Sequence, residues 1–324
     1  MPLKRVRCLI GFLVLISILS LLRIRTVGAD EGKQIDLSAT TKYVNAWAAR
    51  ESFPDSPIFA YENAFCELAL SGRVEDPHKK RIIEFLKNSQ NVDGGFVSAP
   101  ELKENSNVIL TYFALAALDL IDATSAVRRE KAADFVMSLV QDNGGITATA
   151  GDKVSNLGTT YYGIRCLYVL KALDRIDKAK TIAYIESYRE ADKGFGVIPG
   201  KPSAPQSTFM AVESLRLLGG LAEDIKPGVI RYLKETPYSG SQESKNRALM
   251  NMENTAYVLE TASILSAIQQ LDVEEIHHFV ESLYIPENGG FGPSPGYGTT
   301  PPGTYYAVWS LGRLGRLEGP LNIR

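Results

Sequence analysis

The chain has 324 residues, is 45% hydrophobic and 22% charged, and carries a formal net charge of −2. That size and apolar content suit one large buried core or two smaller ones. The near-balanced charge excludes a basic nucleic-acid footprint, so no nucleic-acid partner is expected, and there is no long acidic tail.

The first element is N-terminal. Lys4, Arg5 and Arg7 precede an uncharged apolar run from Cys8 to Leu22, and Val27-Gly28-Ala29 then offer small residues suited to cleavage. This is the pattern of an export signal. The run is short for a full membrane span. Arg23 and Arg25 stand where a signal is ordinarily neutral, so an uncleaved membrane anchor is the other reading. Residues 1–29 are thus a signal peptide or N-terminal anchor, and 30–324 form one domain expected to work outside the cytosol, whether secreted, periplasmic or in the cell envelope. Of the three cysteines only Cys66 and Cys166 fall in that domain. They are too few for a disulfide scaffold and read as small buried apolar residues.

The domain then alternates two kinds of helix. TTKYVNAWAARE (40–51) is the first amphipathic one, followed by an apolar segment, YENAFCELALS, from Tyr61. DPHKKRIIEFLKNSQ (76–90) leads through the turn NVDGGF (91–96) to TYFALAALDLI from Thr111. The stretch 125–141 leads through QDNGGI (141–146) to TYYGIRCLYVL from Thr160. KAKTIAYIESYRE (178–190) leads through DKGFG (192–196) to TFMAVESLRLL from Thr208. IKPGVIRYLKE (225–235) is followed by Tyr238-Ser239-Gly240 in place of a glycine doublet, then by the polar stretch SGSQESKNR, read as a longer mouth loop, and by TAYVLETASIL from Thr255. DVEEIHHFVESL (272–283) leads through ENGGFG (287–292) to TYYAVWSLGRL from Thr304.

The threonines lie 49, 48, 47 and 49 residues apart, and Tyr61 opens a degenerate copy 50 residues before Thr111. A period near fifty marks a repeat architecture. Counting from each threonine, a small residue usually stands at place three (Val258 is the largest), an aliphatic at place four and usually a leucine at place seven, which is helical spacing. These helices are apolar in further columns and so are surrounded by protein. The intervening ones carry a single apolar stripe and face solvent. Six outer and six inner helices predict an all-α (α/α)6 toroid. Closure into a double ring is favoured over an open solenoid because neither end has an obvious polar cap. The glycine turns end the outer helices and reverse the chain, which requires positive φ. No GxxxxGK[ST] pattern makes them phosphate cradles.

The D/N-G-G-F turn followed by T-Y-x-A-hydrophobic-x-x-L resembles the prenyltransferase and squalene/terpene-cyclase repeat superfamily over roughly residues 40 to 316. The resemblance implies the toroid. It does not by itself imply an activity. Protein prenyltransferases of that superfamily hold zinc with Asp-x-Cys at the start of one inner helix and a histidine at the start of a later one. The matching stretches here, Asn251-Met252-Glu253-Asn254-Thr255 and Pro301-Pro302-Gly303-Thr304, contain neither Cys nor His. His78, His277 and His278 fall on outer helices. Zinc needs about three protein ligands, so neither a metal site nor any other cofactor is expected. Class II cyclases need D-x-D-D. The nearest match, Leu271-Asp272-Val273-Glu274-Glu275, opens an outer helix, where acidic residues suit the helix dipole.

The lumen of the toroid is therefore the candidate site. Packing puts places four and seven towards the outer helices and places one, two, five and eight towards the axis. The superfamily's zinc positions instead rotate the lumen face towards the places before the threonine. Both keep place two, which reads Asn63, Phe113, Tyr162, Met210, Tyr257 and Tyr306. Such an aromatic column either fills a core or lines a site for an apolar ligand, an isoprenoid- or lipid-like small molecule. Place five adds Arg165, Glu213, Glu260 and Trp309, either facing the lumen or paired sideways as inter-helix salt bridges. Glu213 and Glu260 also raise the alternative of a polysaccharide-cleaving carboxylate pair. The leading expectation is a binding or scaffold protein that takes an apolar ligand in the lumen or a partner chain at the mouth. A diverged toroid enzyme is the alternative.

Overall fold

The computed structural model describes residues 34–101, 104–236 and 251–317. The signal-or-anchor segment, the turn substitute at 238–240 and the polar stretch after it lie outside the described residues. The domain is built from α1 (Leu37–Ala48), α2 (Pro57–Ser71), α3 (Asp76–Asn88), α4 (Val108–Leu120), α5 (Arg129–Ser138) and α6 (Leu157–Val169). It continues with α7 (Lys178–Glu186), α8 (Pro205–Leu218), α9 (Lys226–Glu235), α10 (Met252–Ile264), α11 (Val273–Ser282) and α12 (Pro301–Arg313). One two-stranded hairpin, Tyr284–Ile285 with Gly290–Phe291, brackets the last glycine turn.

The even-numbered helices form the inner ring. Each packs on the next, and α12 packs back on α2. The Tyr305 ring lies 5.0 Å from Phe65 and 6.0 Å from Tyr61. The inner ring is closed, as expected. The odd-numbered helices form the outer ring with charges outward and a narrow buried stripe such as Ile82 and Leu86 of α3. Several boundaries differ from the sequence reading by a few residues, and two helix starts show why. Helix α1 starts at Leu37 because the Asp36 carboxylate accepts from the backbone N–H groups of Ser38 and Ala39. Helix α5 starts at Arg129 because Thr124–Ala126 is a separate 3-10 turn.

The glycine turns have a packing role in addition to their reversal role. Gly94, at φ +98°, lies flush on the backbone of Lys131, in the first turn of the next outer helix. A side chain there would overlap that carbonyl, so both the backbone angle and the space require glycine. The turns are held from within. Asp93 Oδ1 accepts from Gly95 N at 3.0 Å, and Asn143, Asp192 and Asn288 do the same in their own turns.

The repeated threonine links each turn to its inner helix. Thr111 Oγ1 accepts from Phe96 N, Thr160 from Ile146 N, Thr208 from Phe195 N and Thr304 from Phe291 N, each at 3.0 Å. These amides are buried, and a buried N–H without an acceptor would cost about 1–3 kcal/mol. The threonine therefore ties each of these turns to its inner helix across 13 to 15 residues of sequence.

Candidate functional site

The inner helices enclose a cavity of about 360 Å³. Its walls come from places one, two, five and eight of the repeat, the face deduced from packing. Place one gives Tyr112, Tyr161, Phe209 and Tyr305, and place two gives Phe113, Tyr162, Met210, Tyr257 and Tyr306. Together they make an unbroken belt. Tyr61 lies 6.2 Å from Tyr112, which is 6.3 Å from Tyr161, which is 5.5 Å from Phe209. Phe209 stacks on Tyr257 at 5.3 Å, Tyr257 meets Tyr306 at 5.8 Å, and Tyr305 returns to Tyr61. Every inner helix contributes at least one ring, in a mixture of stacked, tilted and edge-to-face arrangements.

In the α2 copy the register differs from the sequence alignment by one residue. Tyr61 stands with the place-one tyrosines, so Ala60, and not Tyr61, holds the threonine place. Asn63 consequently leaves the lumen column, turning outward to donate from Nδ2 to the Val44 carbonyl of α1 at 3.2 Å. Glu62 takes its place in the aromatic column and lines the cavity. An aromatic residue one position late in a degenerate copy masked the shift.

Place five carries charge, and the two readings of it hold together: these side chains line the lumen and also pair between neighbouring inner helices. Arg165 Nη1 donates to Glu213 Oε1 at 2.7 Å, and its Nη2 to the Tyr112 hydroxyl at 3.3 Å. Arg216 adds two further bonds to Glu213, at 2.7 and 2.9 Å. Glu260 accepts from Trp309 Nε1 at 2.8 Å and from the Arg313 guanidinium through both oxygens. Every oxygen of Glu213 and Glu260 is thus bonded to a fixed donor. Such bonding suits anchoring rather than the free carboxyl that glycosidic acid–base work needs. Tyr168 and Arg216 at the C-terminal ends of the inner helices are partly exposed, so the lumen opens to solvent on that side.

Two carboxyls lie towards the opposite end: Glu62 lines the cavity, and Glu253, half-buried in the first turn of α10, reaches two of the lining tyrosines. Glu253 Oε1 accepts from the Tyr306 hydroxyl at 3.0 Å and the Tyr257 hydroxyl at 3.2 Å. Gln206 Nε2 donates to the same Tyr257 oxygen at 3.3 Å. Glu62 is 5% exposed, and its Oε2 has no hydrogen-bond partner. Burial, and then the neighbouring Glu253 charge, push the Glu62 carboxyl up to about 8. Burial likewise raises Tyr257 and Tyr306, which stay neutral donors.

At the two stretches matching the superfamily's zinc positions the helices are capped, by Asn251 inside the first and by Thr300 just before the second. Asn251 Oδ1 accepts from Asn254 N at 2.7 Å at the start of α10, and Thr300 Oγ1 accepts from Gly303 N at 3.0 Å at the start of α12. His78 pairs with Glu67, and His277 and His278 with Glu281, all outside the lumen. Among the described residues no three His, Cys, Asp or Glu side chains converge to hold a metal ion. Asp272, in the acidic run before α11, caps that helix by accepting from Glu275 N at 3.0 Å.

Comparison with known proteins gives a consistent picture. Residues 63–243 and 226–321 match the model of the prenyltransferase alpha-alpha toroid domain. Over 127 residues the chain is 32% identical to the geranylgeranyl transferase type-1 subunit beta of Arabidopsis thaliana, covering 39% of this chain and 34% of that protein. Over 206 residues it is 27% identical to the geranylgeranyl transferase type-2 subunit beta of Candida albicans, covering 58% and 59%. The aligned part is therefore less than two thirds of either curated relative. Among solved structures, Candida albicans protein geranylgeranyltransferase-I complexed with GGPP superposes with a TM-score of 0.74 at 17% identity, over 89% of this chain and 93% of that one. The type II terpene cyclase MstE from Scytonema superposes with a TM-score of 0.57 at 15% identity, over 86% and 97%. At these identities the likeness concerns the fold.

Proposed function

The chain belongs to the prenyltransferase α/α-toroid family, and we propose that it uses the lumen as a binding site for an apolar, isoprenoid- or lipid-like ligand without performing zinc-dependent prenyl transfer. The observation that carries this reading is the closed aromatic belt around an accessible cavity of about 360 Å³. A cavity of that size, mostly apolar with a few placed polar groups, is what small-molecule sites share. A core that merely needed filling would leave no such volume. The absence of Cys and His at the starts of α10 and α12 argues against the metal chemistry of the family's transferases. On the strength of Lys4, Arg5, Arg7 and the apolar run after them, we place this work outside the cytosol, with the N-terminus as signal or anchor. The two curated relatives are named as beta subunits, which supports a partner chain at the toroid mouth as an addition to this reading.

Trp309 lines the cavity and Trp47 does not, which provides a test. Titrating the full chain with farnesol should quench the fluorescence of a W47F variant saturably. Quenching that never saturates would contradict lumenal binding. A second reading, a diverged enzyme acting on an isoprenoid, is favoured by one observation only: Glu62 is a carboxyl that keeps its proton near neutrality inside an aromatic lumen. Conversion of added geranylgeraniol or squalene by wild type, lost in E62Q, would establish it.

A further inference from the structure

We infer that the Glu62 end of the lumen receives the cationic head of an organic ammonium amphiphile, with Glu62 lining the site and Glu253 behind its tyrosines. The inference rests on the lumen being a ligand site and adds the chemistry of the ligand's polar end. Three features carry it. The first is the pair of carboxyls: Glu62 on α2 and Glu253 on α10 flank α12, which sends Tyr306 to Glu253 at 3.0 Å. The second is the belt of rings around them. Tyr61, Tyr305, Tyr306 and Phe113 line the same cavity, and aromatic rings attract cations, most strongly when water is excluded.

The third is a missing partner. Glu62 Oε2 is buried without a hydrogen bond, whereas buried carboxyls ordinarily have their partners supplied by the protein. Among the described residues no lysine lines the lumen. The three arginines near it are already engaged, Arg165 and Arg216 with Glu213, and Arg313 with Glu260. Among the described residues, the titratable groups that act on or respond to Glu62 are Glu253 of α10, Tyr305 of α12 and Cys66 of its own helix, and Tyr61, Tyr112, Tyr257 and Tyr306 line the same cavity. None is cationic. An anionic head would meet two carboxyls at this end, and an ammonium would complete them.

Without a ligand, Glu62 holds a proton up to about pH 8. A quaternary ammonium that ionises it sends that proton to solvent. Affinity for such a ligand therefore rises with pH below 8, by up to about tenfold per unit, and levels off above.

The test uses the full chain and three probes with the same tail: octyltrimethylammonium, octanol and octanoate, titrated calorimetrically at pH 7 in two buffers of different ionisation heat. The ammonium should bind about tenfold tighter than the alcohol and octanoate weakest, with close to one proton released. Both the preference and the release should disappear in E62Q. Equal binding of the three probes would overturn the cationic head while leaving the lumen a ligand site. Binding of none would overturn both. If E62Q fails to fold, the wild-type pH profile and E253Q decide: a flat profile from pH 6 to 9, or an ammonium preference untouched in E253Q, contradicts the inference.

Discussion

Gly289, in the last glycine turn, lies against the backbone of Ala39 in the first outer helix, so two residues from opposite ends of the domain close the outer ring. A methyl group on Gly289 would overlap the Ala39 carbonyl. Gly296 has a similar φ, +83° against +79°, but open space around it. Gly289→Ala should therefore destabilise by about 2–4 kcal/mol, through overpacking added to backbone strain. Gly296→Ala should cost about 1 kcal/mol. Thermal unfolding of the two variants checks this, and equal losses would mean the contact at Gly289 is unimportant.

Thr304→Val removes the acceptor for Phe291 N but keeps the side-chain volume. It leaves a buried amide unpaired and should cost about 1–3 kcal/mol. Thr304→Ser should restore most of that. Denaturant midpoints of the three proteins decide it, and a valine variant as stable as wild type would show that the threonine is retained only for its shape.

Arg165→Met leaves Glu213 with Arg216 alone. Breaking a buried pair on one side should destabilise by about 3 kcal/mol, while the double change Arg165→Met, Glu213→Met should recover part of the loss. A double-mutant cycle read by urea unfolding gives the coupling. No coupling would mean the pair contributes nothing to the inner ring.

The period of about fifty, the helix types and the closed ring could all be read from the residues, because each follows from spacing: a threonine every repeat, aliphatics at places four and seven, one apolar stripe on the outer helices. The lumen face was legible for the same reason: of the ten residues singled out in places two and five, nine (Phe113, Tyr162, Arg165, Met210, Glu213, Tyr257, Glu260, Tyr306 and Trp309) line the cavity, and Asn63 turns away to α1. Glu62 was not legible. In the α2 copy no threonine fixes the register, Tyr61 mimics the wrong place, and only its contacts with Tyr112 and Tyr305 show where the copy begins. The function of the threonine was also hidden, since its hydrogen bond reaches back 13 to 15 residues to a turn, beyond any helical periodicity.

Glu62 makes stability depend on pH in a definite direction. Its folded value, about 8, lies above the ordinary 4.5. Between these values the native state holds a proton that the unfolded chain does not. The contribution of Glu62 to stability is therefore complete below about pH 4.5 and is lost as pH rises through 8, roughly 3–5 kcal/mol in all. Glu62→Gln should remove this slope, leaving a protein more stable than wild type at pH 9 and nearly equal at pH 5. Melting temperatures of both proteins across that range test it. Parallel curves would show that Glu62 is not the titrating group.

A ligand held in the aromatic lumen should be visible by native mass spectrometry of the full chain, purified gently from its own host. The expected result is a bound species of isoprenoid- or lipid-like mass that a Phe209→Ala, Tyr257→Ala protein no longer retains. A bare chain, with the same bare mass after incubation with host lipid extract, would contradict it.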